Sequence, residues 1–125
     1  MDAYGVLVFE SRFIDPSLPR GLWFCDCPED VQQIEINAVC LSSAAKWDDL
    51  SKCKDFLHKF PYIVVVCPDA ARRENMTNEL RRRITDMVFY VATDNAFRGC
   101  ASVCELSERY GPKSLDQILL ETKEL

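Results

Sequence analysis

Glycine is scarce in this chain. There are four in 125 residues, scattered, with neither GxGxxG nor GxxxxGK[ST] among them. A loop that cradles a dinucleotide or a triphosphate needs glycines where backbone must come close to phosphate. Their lack excludes a Rossmann cofactor site and a P-loop, and no nucleotide cofactor is expected. Histidine is scarcer still: the single one, His58, falls late on an amphipathic stretch with no partner in sight, a poor start for general acid or base chemistry. No apolar run approaches the roughly 18 residues of a membrane span, so no membrane contact is expected. Residues 1–5 carry no basic leader ahead of an apolar segment, which points to a cytoplasmic rather than a secreted protein. Basic residues are in the minority, 15 against 20 acidic for a net charge of −5. That balance disfavours a surface that attracts nucleic acid everywhere and leaves a local patch or a larger assembly as the route to it. The length suits one globular unit and excludes a two-domain enzyme.

Cysteine, by contrast, is abundant. An odd count of seven in a chain with no sign of an oxidising compartment implies reduced thiols that pack or bind something. Five short apolar runs, at 6–9, 22–25, 38–41, 62–67 and 87–92, are mostly continuous rather than alternating, the pattern of strands buried on both faces of a parallel sheet. Helical periodicity lies between them. Over 46–60, Trp47, Leu50, Cys53, Leu57 and Phe60 recur at steps of three and four until Pro61 stops the helix. A second helix is predicted over 69–84, with Asp69 as its cap and Met76, Leu80 and Ile84 in register. Shorter helices fit 29–36 and 102–110, and a last one follows Gly111-Pro112, where Ser114 and Gln117 have capping-box spacing. The segment 11–20 reads as a loop. Strands alternating with helices predict a three-layer, Rossmann-like α/β domain around a mainly parallel sheet of about four or five strands.

In such a sheet, ligands bind at the carboxyl ends of the strands, near the point where strand order reverses. Three loops qualify: 26–30, 68–73 and 93–104. Asp26-Cys27-Pro28-Glu29-Asp30 follows the second apolar run. Cys67-Pro68-Asp69-Ala70-Ala71-Arg72 follows the fourth, and Ala101-Ser102-Val103-Cys104-Glu105-Leu106 leads to Tyr110-Gly111 and a terminal helix. In order and spacing these segments resemble the Toprim domain, in the small form found in bacterial-type primases and phage primase-helicases. That family has EGxxD after one strand, DxDxxG after a later one, and KDxNExL before a short final helix. The resemblance covers roughly 22–125, with residues 1–20 a preceding strand and loop and 21–125 the Toprim-like domain of one globular unit. It implies a place in DNA replication or related nucleic-acid metabolism.

The resemblance also assigns roles. Asp26 takes the position of the family's glutamate, the general acid or base, with Asp30 at the end of that motif. Cys67 and Asp69 take those of the two aspartates that hold Mg²⁺ for phosphodiester transfer. Asp26 is one methylene shorter than the family residue, and a small displacement of a catalytic group costs on the order of 10²-fold. Cys67 offers a soft thiolate to a cation that prefers oxygen. Arg72 stands where the family has glycine, and the Lys and Asn of the last motif are absent. Weak or no Mg²⁺ binding is therefore expected, and with it a degenerate, non-catalytic module whose partner is a primase, helicase or nuclease. The competing enzyme reading is Mg²⁺-dependent phosphodiester transfer, of primase or nuclease type, by an altered cluster of Asp26, Asp30 and Asp69. A plainer account makes these carboxylates loop and cap residues.

Two further readings come from the residues themselves. Cys25, Cys27, Cys67, Cys100 and Cys104 all fall at or just past strand ends, and a helix reaching back to Cys100 would set it on one face with Cys104. Three or four of those thiolates would make a Zn²⁺ or redox site, although CxC and CxxxC are weaker signatures than paired CxxC, and reduced Cys is commonly a small buried hydrophobe. Cys40 and Cys53 belong to the core. Among the arginines, Arg81, Arg82 and Arg83 spread around a helical turn as a solvated face. Arg72 and Arg73 sit in the first turn as phosphate ligands, Arg73 placed to neutralise Asp69 or to bind a phosphate.

Overall fold

The structure is a computed structural model that describes residues 9–18, 20–34, 37–42 and 45–125. Its centre is a six-stranded sheet. Strands β1 (Phe9–Arg12), β2 (Leu22–Cys25), β3 (Ala38–Leu41), β4 (Ile63–Val66), β5 (Phe89–Ala92) and β6 (Thr122–Glu124) lie in the order β1-β3-β2-β4-β5-β6. The inner four are parallel; β1 on β3 and β6 on β5 are antiparallel. Both faces are covered, which is why the inner runs are continuously apolar. Leu22, Phe24, Ile63 and Val65 point to one core with Leu50, Leu57, Met76 and Leu80, while Trp23, Cys25, Val64 and Val66 point to the other with Val31, Phe97, Val103, Leu106 and Ile118. Successive residues of one strand thus serve opposite layers, and the expected three-layer α/β architecture is present.

The helices are α1 (Pro28–Gln33), α2 (Lys54–Leu57), α3 (Ala70–Arg83), α4 (Asp94–Phe97), α5 (Val103–Tyr110) and α6 (Lys113–Ile118). The one that sets the site is α3: the Asp69 carboxylate accepts from Arg72 N at 2.9 Å, and Arg81, Arg82 and Arg83 fill the last turn, where cations complement the helix dipole. In α5, the N-cap Ser102 Oγ accepts from Glu105 N at 3.0 Å, and the Glu105 carboxylate accepts from Ala101 N at 3.1 Å, the residue before the cap. Gly111, at φ +85°, ends that helix in a conformation that favours glycine.

Several expectations are corrected. The single helix over 46–60 is a 3₁₀ segment, Trp47–Cys53, followed by the one-turn α2; the three-residue step from Leu50 to Cys53 suits the tighter helix, and both remain buried. Ser11 and Arg12 belong to β1 rather than to a loop, whereas residues 6–8 of that apolar run, like 35–36 at the end of the helix over 29–36, lie outside the described residues. Ser114 is not a cap: it is inside α6, where its hydroxyl donates to Gly111 O at 2.6 Å. Helix α4 and strand β6 were not anticipated. The polar sequence of β6 fits an edge position, where one long side of the strand stays unpaired.

Candidate functional site

Strand order reverses between β2 and β4, because β3 follows β2 on one side and β4 lies on the other. The crevice beyond these two carboxyl ends is where an open α/β sheet places its ligand. Asp26 projects from the end of β2, and Cys67 and Asp69 follow β4, so the fold does bring together three of the residues singled out by their motif positions. What they do there is internal. Arg72 Nη1 pairs with Asp26 Oδ2 at 2.9 Å, and the Arg72 backbone N–H is the donor held by Asp69. One arginine in the first turn of α3 therefore engages both carboxylates. That backbone bond, with the Arg72 charge behind it, holds the Asp69 carboxyl below the usual carboxylate range.

Cys67 is buried. Its thiol donates to the Asp69 carbonyl at 3.5 Å; burial, reinforced by the Asp26 charge, pushes its pKa up to about 11, so at neutral pH it is a protonated thiol. A neutral thiol, a capping carboxylate and a carboxylate paired with guanidinium do not match the oxygen-rich octahedral demand of Mg²⁺. The recess beside Asp26, shared with Phe24, Leu41, Trp47 and Met76, holds about 70 Å³, far below the roughly 300–1,000 Å³ of ordinary ligand pockets.

Asp30 does not join them. It is 1% exposed and turns beneath the start of α5, where its carboxylate accepts from the backbone N–H groups of Cys104, at 3.3 Å, and Val103. Burial outweighs these bonds and raises its pKa. The residue read as part of a catalytic cluster is thus a tie between α1 and α5. Sequence spacing gave no sign of this, because the partner donors lie more than seventy residues downstream.

Arg73 also differs from expectation. It makes no ion pair with Asp69, although its charge helps to lower the Asp69 pKa. Its guanidinium donates to Cys67 O at 3.0 Å, pairs with Asp94, and lies over the Phe97 ring at 5.9 Å. Position 73 falls on the buried side of α3, facing β5 and α4, whereas position 72 faces β2. Asp94 was the residue missed; it lies in the strand-end loop 93–104, and with no charge periodicity only the topology reveals its partner. Arg73 further lines a cleft of about 520 Å³ along α3, with Arg81 and Lys123 on its walls. Among the described residues those two make no ion pair. Of the other arginines, Arg82 and Arg83 are tied to Glu79, and Arg83 also reaches Asp48 at 2.6 Å.

The proposed thiolate set is dispersed. Cys25 is buried in β2, its thiol pushed well up by burial; Cys27, at the start of α1, is raised to about 11 by burial. Cys100 is buried in a turn closed by Arg98 and Gly99, both at positive φ. Because α5 begins only at Val103, Cys100 and Cys104 do not share a helical face. Among the described residues, no three His, Cys, Asp or Glu side chains are grouped to hold a metal ion. Compared with protein-family models, curated proteins and solved structures, the chain has no match.

Proposed function

We propose that this chain is a non-catalytic, Toprim-like binding module of nucleic-acid metabolism that acts by contact with a protein partner such as a primase, helicase or nuclease. The observation that carries the reading is the ion pair of Asp26 with Arg72 across the strand-order switch. The side chain in the general acid or base position is held by a cation in the position of the family's glycine. The high thiol pKa of Cys67 and the capping role of Asp69 support it further, since neither is poised to bind a hard divalent ion. The nucleic-acid setting comes from the motif resemblance alone. A net charge of −5 favours a protein surface over duplex DNA as the contact.

Calorimetric titration with Mg²⁺ and Mn²⁺ tests this, together with anisotropy of a labelled single-stranded oligonucleotide at physiological salt. The expected result is no saturable heat at millimolar metal and no tight oligonucleotide complex. Millimolar or tighter metal binding that disappears in Asp69→Ala overturns the non-catalytic reading.

A further inference from the structure

A second recess lies at the opposite end of the strands. It holds about 240 Å³ where the segment before β2 meets the end of α1 and the start of α6. Trp23 lines it and is 1% exposed. Among the described residues its indole Nε1–H is buried without an acceptor, and so is the Nε–H of Arg20 beside it. Indole and guanidinium are donors only, and buried donors in folded proteins are overwhelmingly paired; both of these belong to residues that line the recess. They are also held together, since the Arg20 guanidinium lies over the Trp23 ring at 5.5 Å.

The charges around the recess narrow the choice. Arg20 and Lys113 bring two cations and Asp116 one carboxylate, and among the described residues none of the three is in an ion pair. The excess is a single positive charge, which matches a carboxylate better than a phosphate dianion. Ile34 and Leu115 supply apolar wall. The volume is below the range of drug-sized pockets, so the guest has few heavy atoms.

We propose that this cavity binds a small organic carboxylate. Its oxygens accept from Trp23 Nε1–H and Arg20 Nε–H, its charge is met by Arg20 and Lys113, and its short hydrocarbon chain lies against Ile34 and Leu115. Both nitrogens are covered as the structure stands, so the proposed binding requires the half-buried Arg20 guanidinium to shift from its place over the indole. The site is built from residues remote in sequence from Cys67 and Asp69 and stands or falls independently of the function proposed above.

The test uses the two indole N–H resonances of the ¹⁵N-labelled protein, one from Trp23 and one from Trp47, assigned with Trp47→Phe. Butyrate is expected to shift the Trp23 resonance saturably and leave that of Trp47 in place, whereas butyramide, its neutral analogue, does not. Arg20→Met, which keeps the stem over the ring, should weaken butyrate binding by about tenfold or more, the worth of a charged hydrogen bond. Lys113→Met is a surface change that leaves the fold intact and should weaken binding several-fold. The proposal is overturned by the absence of a saturable shift with butyrate, by an equal response to butyramide, or by unchanged affinity in both variants. Inorganic phosphate acting where butyrate does not would refute the carboxylate assignment.

Discussion

Replacing Asp30 separates a structural from a catalytic account of the carboxylate that best fits an EGxxD-like motif. In Asp30→Ala the first backbone N–H groups of α5, those of Val103 and Cys104, lose their acceptor at a buried to half-buried place. Losing a helix cap costs about 1 kcal/mol, and stranding buried donors about 1–3 kcal/mol; the two overlap, so about 2–3 kcal/mol is expected. For a chain of this size each kcal/mol moves Tm by roughly 3–5 °C, between the values for smaller and larger domains, which gives a fall of about 6–15 °C by calorimetry. Asp30→Asn keeps a carbonyl acceptor and should lose less than half of this. Its pH dependence adds a second check. Burial raises the folded-state pKa of Asp30 above its unfolded value, so the native state keeps this proton more tightly. The stability it provides is fully present below the unfolded pKa and is lost as pH rises through the folded one. The advantage of wild type over Asp30→Asn should therefore be largest in acid and shrink as pH rises through that window. A Tm for Asp30→Ala within about 2 °C of wild type, or an advantage over Asp30→Asn that grows with pH, refutes the reasoning.

Cys67, raised to about 11 in the fold against about 9 for a free thiol, should retain stability below pH 9 that is lost as pH rises toward 11. Denaturant midpoints at pH 8 and pH 10.5 should differ less in Cys67→Ala than in wild type, and the native thiol should react slowly with disulfide reagents at pH 8. Asp94→Asn removes an exposed partner of Arg73 and should cost under about 1 kcal/mol. Arg73→Ala also removes the bond to Cys67 O and the cover over Phe97, and about 2–3 kcal/mol is expected; equal losses in urea unfolding would show that the ion pair alone matters. Leu80→Ala, in the last turn of α3 and fully buried, should lower stability by about 2–5 kcal/mol, read from the shift of the same transition.

The layers of this fold are legible in sequence because burial on both faces leaves a direct mark: four inner runs without polar interruption fall at β2, β3, β4 and β5. What marks β6 and α4 is weaker. A three-residue edge strand and a single helical turn carry too few residues for a period, and their placement is decided by the neighbours they pair with. The same difference governs the candidate site. Spacing placed Asp26, Cys67 and Asp69 at neighbouring strand ends, since that follows from topology alone. It did not reveal how each charge is satisfied, because the direction of a side chain in the first turn of α3 changes by about 100° per residue. One step along the helix sends Arg72 to Asp26 and Arg73 to Cys67 O and Asp94. This step is also what gives Asp26 its cation. A glycine at position 72 would leave Asp26 without its cation while keeping the backbone N–H that Asp69 accepts. Arg72→Gly should therefore lower stability only modestly, by about 1 kcal/mol from glycine in a helix and up to about 1 kcal/mol from an exposed ion pair. If Arg72 is what keeps Asp26 from a divalent ion, the variant should show Mg²⁺-dependent stabilisation that wild type lacks. An unchanged response to Mg²⁺ would refute Arg72 as the group that keeps the ion from Asp26.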